Sequence, residues 1–265
     1  MSAAGLTEEV EFVSIAKRFR RDDEMMTAIA GLDLVVEPGE FVCVVGPSGC
    51  GKSTLLNMLS GLMRPSRGEV RMGGRPIETP NTRVGYMTQK DSLMPWRTTL
   101  RNITLPLEIS GQDGPEARKR VSDMIDMVGL GGFENSYPSQ LSGGMRKRAV
   151  LARTLVHDPH VLLADEPFGA LDAQLRTILQ GELQRIWMET GKTILFVTHD
   201  ITEAVMLADR VIVMSARPST IKLDRRIDLP RPRDVQRITA DPAFTRLVDE
   251  LWTALGDDVN HGQEV

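Results

Sequence analysis

The sequence predicts an α/β fold with a largely parallel central sheet, and three observations predict it. Short apolar runs at Phe41 to Val45, Val161 to Ala164, Thr193 to Thr198 and Arg210 to Met214 have the length and near-continuous hydrophobicity of strands buried on both faces. Longer segments between them place apolar residues at helical spacing, and helices alternating with buried strands imply parallel pairing. A glycine-rich segment, Gly46 to Gly51, joins the first of these strands to the first helix.

Taken in order, Val10 to Ile15 reads as a strand, and Leu32, Leu34 and Val36 alternate as a second. These first 40 or so residues look antiparallel, so a mixed architecture is expected. The turn Glu37-Pro38-Gly39-Glu40 leads into the buried strand Phe41 to Val45. A helix beginning near Gly51 carries Leu55, Leu56, Met58, Leu59 and Leu62, and Val84 to Thr88 is a further strand. Glu116 to Val128 is a helix with Val121, Met124, Ile125 and Val128 on one face. Another runs from Ser142 to Val156 and stops at Asp158-Pro159. Ala173 to Glu189 is helical between the strands at Val161 and Thr193, and a short helix around Ala204 precedes the strand Arg210 to Met214. The Pro- and Arg-rich segment Leu229 to Asp234 links a last helix, Pro242 to Leu255, to the body.

A chain of 265 residues can bury an extensive core without staples. With a net charge of −4 and a pI of about 5.7, nothing suggests a nucleic-acid partner. Cys43 and Cys50 do not form a disulfide framework, which fits a reducing compartment. No stretch approaches the roughly 20 apolar residues of a membrane helix. The start, Met1 to Gly5 followed by Glu8, Glu9 and Glu11, lacks the basic opening and apolar run of a signal peptide. The expectation is a soluble, cytoplasmic chain whose membrane role comes through a partner.

Gly46-Pro47-Ser48-Gly49-Cys50-Gly51-Lys52-Ser53, followed by Thr54, fits the phosphate-loop pattern G-x-x-x-x-G-K-[ST] in full. Its glycines let backbone N–H groups turn inward on phosphate oxygens, and the helix N-terminus adds positive partial charge. Lys52 is placed to reach the β- and γ-phosphates and Ser53 to ligate Mg²⁺. A second acidic element, Val161-Leu162-Leu163-Ala164-Asp165-Glu166, puts two carboxylates at the C-terminal end of a strand, where ligands of open α/β sheets bind. Asp165 is expected to hold Mg²⁺ through its water shell, and Glu166 to orient and deprotonate an attacking water. ATP and Mg²⁺ are the implied ligands.

Leu141-Ser142-Gly143-Gly144-Met145 resembles the signature motif of ABC ATPases and stands 23 positions before Asp165. Ser142 can cap a helix whose first N–H groups, opened by Gly143 and Gly144, form another anion site. The resemblance covers almost the whole chain. It implies a P-loop NTPase of ABC type, with a mixed sheet core, an N-terminal antiparallel part and a helical subdomain at about residues 91–157 that carries the signature. It also implies a short C-terminal extension at about 225–265.

In that family the signature of one subunit closes over the γ-phosphate held by its partner, so a homodimer is implied. The resemblance further assigns Phe19 as the adenine-stacking aromatic, Gln89 as the sensor of Mg²⁺ and the γ-phosphate, and His199 as the switch histidine. Ala170-Leu171-Asp172 becomes the loop that crosses the dimer interface. Lys147 stands where the family commonly has Gln, and Ala164 is smaller than usual; neither departure is expected to touch the chemistry. His157 and His160 read as a solvated turn around Asp158-Pro159. Cys50, beside Lys52 and a helix N-terminus, is expected to favour thiolate and react with a maleimide, while Cys43 is inert.

Asp91 to Thr98, with Leu93, Met94, Trp96 and Arg97, resembles the permease-facing region of importers for nitrate, sulfonates, taurine and related solutes. Met214 to Pro218 and Leu229 to Asp234 point the same way, although a solvated surface is the equal alternative for their arginines. The resemblance thus implies an ATPase on the inner face of a membrane, with permease subunits and, indirectly, an extracytoplasmic binding protein. A motor for lipid or drug export, a non-transport ABC ATPase and a nucleotide-binding module without turnover stay open as alternatives.

Overall fold

The computed structural model describes residues 8–21, 24–169 and 171–260. The start of the chain and Ala170 lie outside them. A six-stranded sheet organises the molecule, in the order β10 (Ile221–Arg226), β9 (Arg210–Met214), β3 (Phe41–Val45), β8 (Thr193–Val197), β7 (Val161–Asp165), β6 (Val84–Met87). All neighbours are parallel except the β10–β9 pair at the edge. A second, antiparallel sheet has the order β2 (Glu24–Val36), β1 (Val10–Arg21), β4 (Arg67–Met72), β5 (Arg75–Pro76).

β3 is buried along its whole length, and its alternating side chains divide the core in two. Phe41, Cys43 and Val45 face the cluster formed with most of the helices. Val42 and Val44 face the space between the sheets, filled by Phe12, Ile15, Leu34 and Leu55. α1 (Lys52–Leu59) supplies Leu55, Leu56, Met58 and Leu59 to that second cluster. It stops before Leu62, through which the sequence predicts it to run and which is exposed. The first two strands run past their expected ends, bending at Ser14, where φ is 46° and Asp33 accepts from both the Ser14 amide (2.7 Å) and its hydroxyl.

α2 (Thr99–Ile109), α3 (Pro115–Met127) and α4 (Gly143–Leu155) pack on one another between β6 and β7. α5 (Ala173–Thr190) and α6 (Ile201–Leu207) follow the next strands, and α7 (Pro242–Asn260) packs on α6 and β9. Among the described residues, no helix is long and apolar enough to cross a membrane. The arginines of the linker before α7 are not solvated. Arg233 is 3% exposed and donates to five backbone carbonyls, while Arg231 pairs with Asp209 at 2.7 Å and stacks on Trp187. These side chains hold the C-terminal segment to the core, so a permease-facing role for Leu229 to Asp234 has no support in their placement.

Candidate functional site

Parallel strands bring their C-terminal ends to one edge, and β3, β8, β7 and β6 are consecutive neighbours. Each is followed at that edge by one of the residues singled out above. β3 runs into the glycine-rich loop, where Cys50 N–H donates to Pro47 C=O at 3.3 Å and Gly51 (φ 110°) opens α1. Lys52 is buried, with Nζ donating to the carbonyls of Gly46 (2.8 Å) and Pro47 (3.0 Å). Gly49 has φ 75°, a left-handed backbone that favours glycine, and a Cβ there would push aside the end of the Arg217 side chain, 2.8 Å away.

Ser53 Oγ donates to Asp165 Oδ1 at 2.9 Å, joining the loop to the end of β7. Burial raises the Asp165 carboxyl; the Ser53 hydrogen bond opposes this, and the Glu166 charge adds to it. Tyr86, on β6, has its phenol pushed up by burial and then by Asp165. Glu166 follows with φ 44°, an uncommon left-handed backbone for a non-glycine residue, secured by its N–H donating to Val197 C=O at 2.9 Å. Its Oε2 accepts from Gln89 Nε2 at 3.4 Å, and His199 Nδ1 lies 3.2 Å from the same oxygen. The glutamine after β6, the glutamate after β7 and the histidine after β8 therefore meet at one carboxylate oxygen.

Ser53 Oγ and the Asp165 carboxylate form a hard oxygen pair beside the phosphate loop, the donor set that suits Mg²⁺ shared with phosphate oxygens. Burial disfavours the Asp165 charge, and a cation there would offset that cost. The residues fit the ion.

Cys50 departs from expectation. Lys52, two backbone N–H groups and Arg217 all favour its thiolate, as the sequence suggested, but burial outweighs them and raises the thiol. At 2% exposure it is nearly as shielded as Cys43. Maleimide labelling of Cys50 in the native protein is expected to be slow at pH 7, where a raised thiol carries less thiolate, and to quicken only as pH rises past the usual thiol range. The urea-unfolded chain serves as the fast reference, and equal rates at pH 7 would contradict the burial. The turn around Asp158-Pro159 is likewise packed rather than solvated: His160 Nδ1 lies 3.1 Å from Glu8, and burial lowers the half-buried His157.

The remaining candidates sit around this edge. Ser142 caps α4, its Oγ accepting from Met145 N–H at 3.2 Å. Gly143 is open to its surroundings, whereas a Cβ on Gly144 would meet Leu175 Cδ1 at 2.4 Å. Asp172 caps α5 through Leu175 N–H at 2.9 Å. Phe19 is half-buried on β1 under the Lys17 ammonium and pairs across the strands with Met26. Arg217 Nη1 touches the Met26 sulfur at 3.0 Å, and the other end of the same guanidinium lies beside Gly49. Neither Arg217 nor Tyr86 was singled out from sequence for this site; an arginine after a strand and a tyrosine within one give no local signal. Lys147, set aside as remote, lies with its ammonium 3.0 Å from the Gln89 carbonyl oxygen.

In the permease-facing segment, Trp96 is 72% exposed, but Leu93 packs against the core and Arg97 pairs with Glu108 at 2.6 Å. The expected exposed cluster is thus narrower than the sequence suggested. A groove of about 740 Å³ lies between α2 and α3, with Leu100, Thr104, Val121 and Ile125 among its lining.

The family model for the ABC transporter matches residues 29–169. The chain is 48% identical over 221 residues to an uncharacterized ABC transporter ATP-binding protein of Methanocaldococcus jannaschii, covering 83% of each. It is 44% identical over 217 residues to an aliphatic sulfonates import ATP-binding protein of Bacillus licheniformis, covering 82% of this chain and 84% of that one. It is 42% identical over 252 residues to a bicarbonate transport ATP-binding protein of Synechococcus elongatus, covering 92% and 91%. Among solved structures, it is similar to a dimeric ATP-binding cassette in a post-hydrolysis state with ADP and Pi. That similarity has a TM-score of 0.73 and 32% identity, over 83% of this chain and 100% of that chain.

Proposed function

Because the chain belongs to the ABC transporter family, we propose that it is the ATP-hydrolysing subunit of an importer for nitrate, a sulfonate, taurine or a related small solute. The observation that carries the catalytic part is the convergence of Lys52, Ser53, Asp165, Gln89, Glu166 and His199 on one sheet edge. Backbone N–H groups of the loop from Ser48 to Thr54 and the Lys52 ammonium bind the phosphates, and Phe19 stacks on adenine. Ser53, Asp165 and Gln89 would hold Mg²⁺, which would supply positive charge against the phosphate oxygens. Glu166 orients the attacking water and takes its proton, while Gln89 and His199 fix the carboxylate that does so.

Two copies act together: Ser142, Gly143 and Gly144 of one chain face the nucleotide of the other, and Asp172 lies at their boundary. The exposed Ser142 and the open Gly143 at the start of α4 support this reading, as does the dimeric state of the similar cassette. The helices at about residues 91–157 carry the signature end, and the subunit works on the inner face of the membrane. A permease helix docks near Leu93, Trp96 and Arg97, next to the groove between α2 and α3. Arg97 borders that groove through its pair with Glu108, and the neighbouring exposed tryptophan has the character of an interface anchor. An extracytoplasmic binding protein delivers the solute.

The test is reconstitution with the permease that co-purifies. Wild type is expected to drive ATP-dependent uptake of one of these solutes into proteoliposomes. Trp96→Ala/Arg97→Ala is expected to keep the free subunit's ATPase activity and to lose permease binding or uptake by tenfold or more. Normal uptake by the folded variant would place the docking surface elsewhere.

A further inference from the structure

Between β6 and α2 the chain runs from Gln89 through Asp91 and Ser92 without helix or strand. α4 holds that segment at several points. The Lys147 ammonium, on a side chain only 5% exposed, lies 2.8 Å from Asp91 Oδ1 and donates to Gln89 C=O at 3.0 Å. Arg146 Nε reaches the other Asp91 oxygen at 3.4 Å. Arg153, seven residues beyond Arg146 and so on the same helix face, donates to Ser92 C=O at 2.6 Å and to the Ser92 hydroxyl. Gln89 in turn reaches Glu166 with its side chain. A continuous polar path therefore runs from Glu166 through Gln89 and Lys147 into the helix that Ser142 opens.

We propose that Lys147 is a positioning residue that locks α4 to the Gln89–Ser92 segment, so that the phosphate sensor of one nucleotide site and the Ser142 end offered to the other move as one body. This rests on the two-chain reading above and adds the physical connection within each chain. A lysine suits the task because one ammonium has three donors and can hold a carboxylate and a carbonyl at once. Burial makes the connection stiff: releasing Asp91 would leave the buried Lys147 ammonium without its counter-charge, which is costly. Arg146 and Arg153, longer and more exposed, steady the same segment from either side.

Removing Lys147 alone would take from Asp91 its nearer counter-charge, leaving Arg146 at 3.4 Å, so an electrostatic stability loss and loss of positioning would be confounded. The double variant Asp91→Asn/Lys147→Met separates them, because neither charge of the pair is left without the other but the hydrogen bond to Gln89 is gone. Both are made in a Glu166→Gln background and compared with that parent for thermal unfolding, for binding of a fluorescent ATP analogue to the monomer, and for MgATP-driven dimerisation by analytical ultracentrifugation. The double variant is expected to unfold within a few degrees of the parent and to bind the analogue within twofold. It is expected to need at least tenfold more protein to dimerise at saturating MgATP. If dimerisation returns together with stability, Lys147 only neutralises Asp91 and the proposal fails. It also fails if analogue binding falls as much as dimerisation does, since the disturbance then lies in the phosphate site itself. A parent that does not dimerise with MgATP at all would overturn the two-chain reading, and this inference with it.

Discussion

Glu166→Gln is expected to lower the rate of phosphate release by about 10²- to 10⁴-fold while leaving ATP binding near normal. The amide has the shape of the carboxylate and keeps an oxygen for the Gln89 side chain, so the geometry around it changes little. What it loses is the ability to take a proton from water. Lys52, the loop amides and the Ser53–Asp165 pair are untouched, and these are the groups placed to hold phosphate. ATP-bound protein should therefore accumulate, and as a dimer if two chains share each nucleotide. His199→Ala is expected to act through the same oxygen, because its Nδ1 shares Oε2 of Glu166 with Gln89. In the Glu166→Gln background the histidine change should add little, a non-additivity that marks groups working as a unit. Single-turnover phosphate release measured beside equilibrium ATP binding decides the matter. A Glu166→Gln enzyme within a few-fold of wild type would mean that another group, or none, takes the proton.

The elements read correctly from sequence were those with one dominant signal. β3, a run of five apolar residues, and β9 were read with the bounds the structure gives them. The phosphate loop and the two carboxylates were legible because a strict residue pattern stood next to such a strand. Four elements were not legible, among them the two-residue β5. α2 carries Pro106 inside it and buries only part of its surface, with Asn102 donating to three carbonyls around the helix start. β4 and β10 are rich in charge because each turns part of its length to solvent, β10 as the edge strand of its sheet and β4 with its first two residues exposed. The same lesson holds at the site. Lys147 is separated from Gln89 by 58 positions, and nothing in its neighbours says that its ammonium is buried. Cys50 was misjudged because the nearby positive groups are visible in sequence and the burial that outweighs them is not.

Arg233→Ala is expected to destabilise the fold by about 3 kcal/mol or more, lowering Tm by on the order of 10 °C. Arg233 Nη1 donates to the carbonyls of Val205 (3.0 Å), Met206 (3.3 Å) and Ala208 (2.6 Å), which close the end of α6. Nη2 donates to Ile227 (3.2 Å) and Leu229 (3.3 Å), in the strand end and linker that follow β10. The guanidinium thus joins the C-terminus of α6, where a cation is favoured, to the segment leading to α7. Burial lowers it to about 10, which still leaves it charged at neutral pH. Alanine would take this donor from all five carbonyls, of which Met206 keeps a side-chain donor in Gln184, and each unsatisfied buried acceptor costs about 1–3 kcal/mol, not fully additively. Arg233→Lys should recover only part of the loss, because a point ammonium cannot span both sets of acceptors as a planar fork does. The exposed pair Arg225–Glu250 is the control, and Arg225→Ala should cost under about 1 kcal/mol. Since Arg233 makes no contact with the phosphate edge, the folded variant at 25 °C should bind ATP as wild type does. Thermal and urea unfolding of the three variants is the measurement. If Arg233→Ala melts at the wild-type temperature, the guanidinium is not what fastens the C-terminal segment to the core.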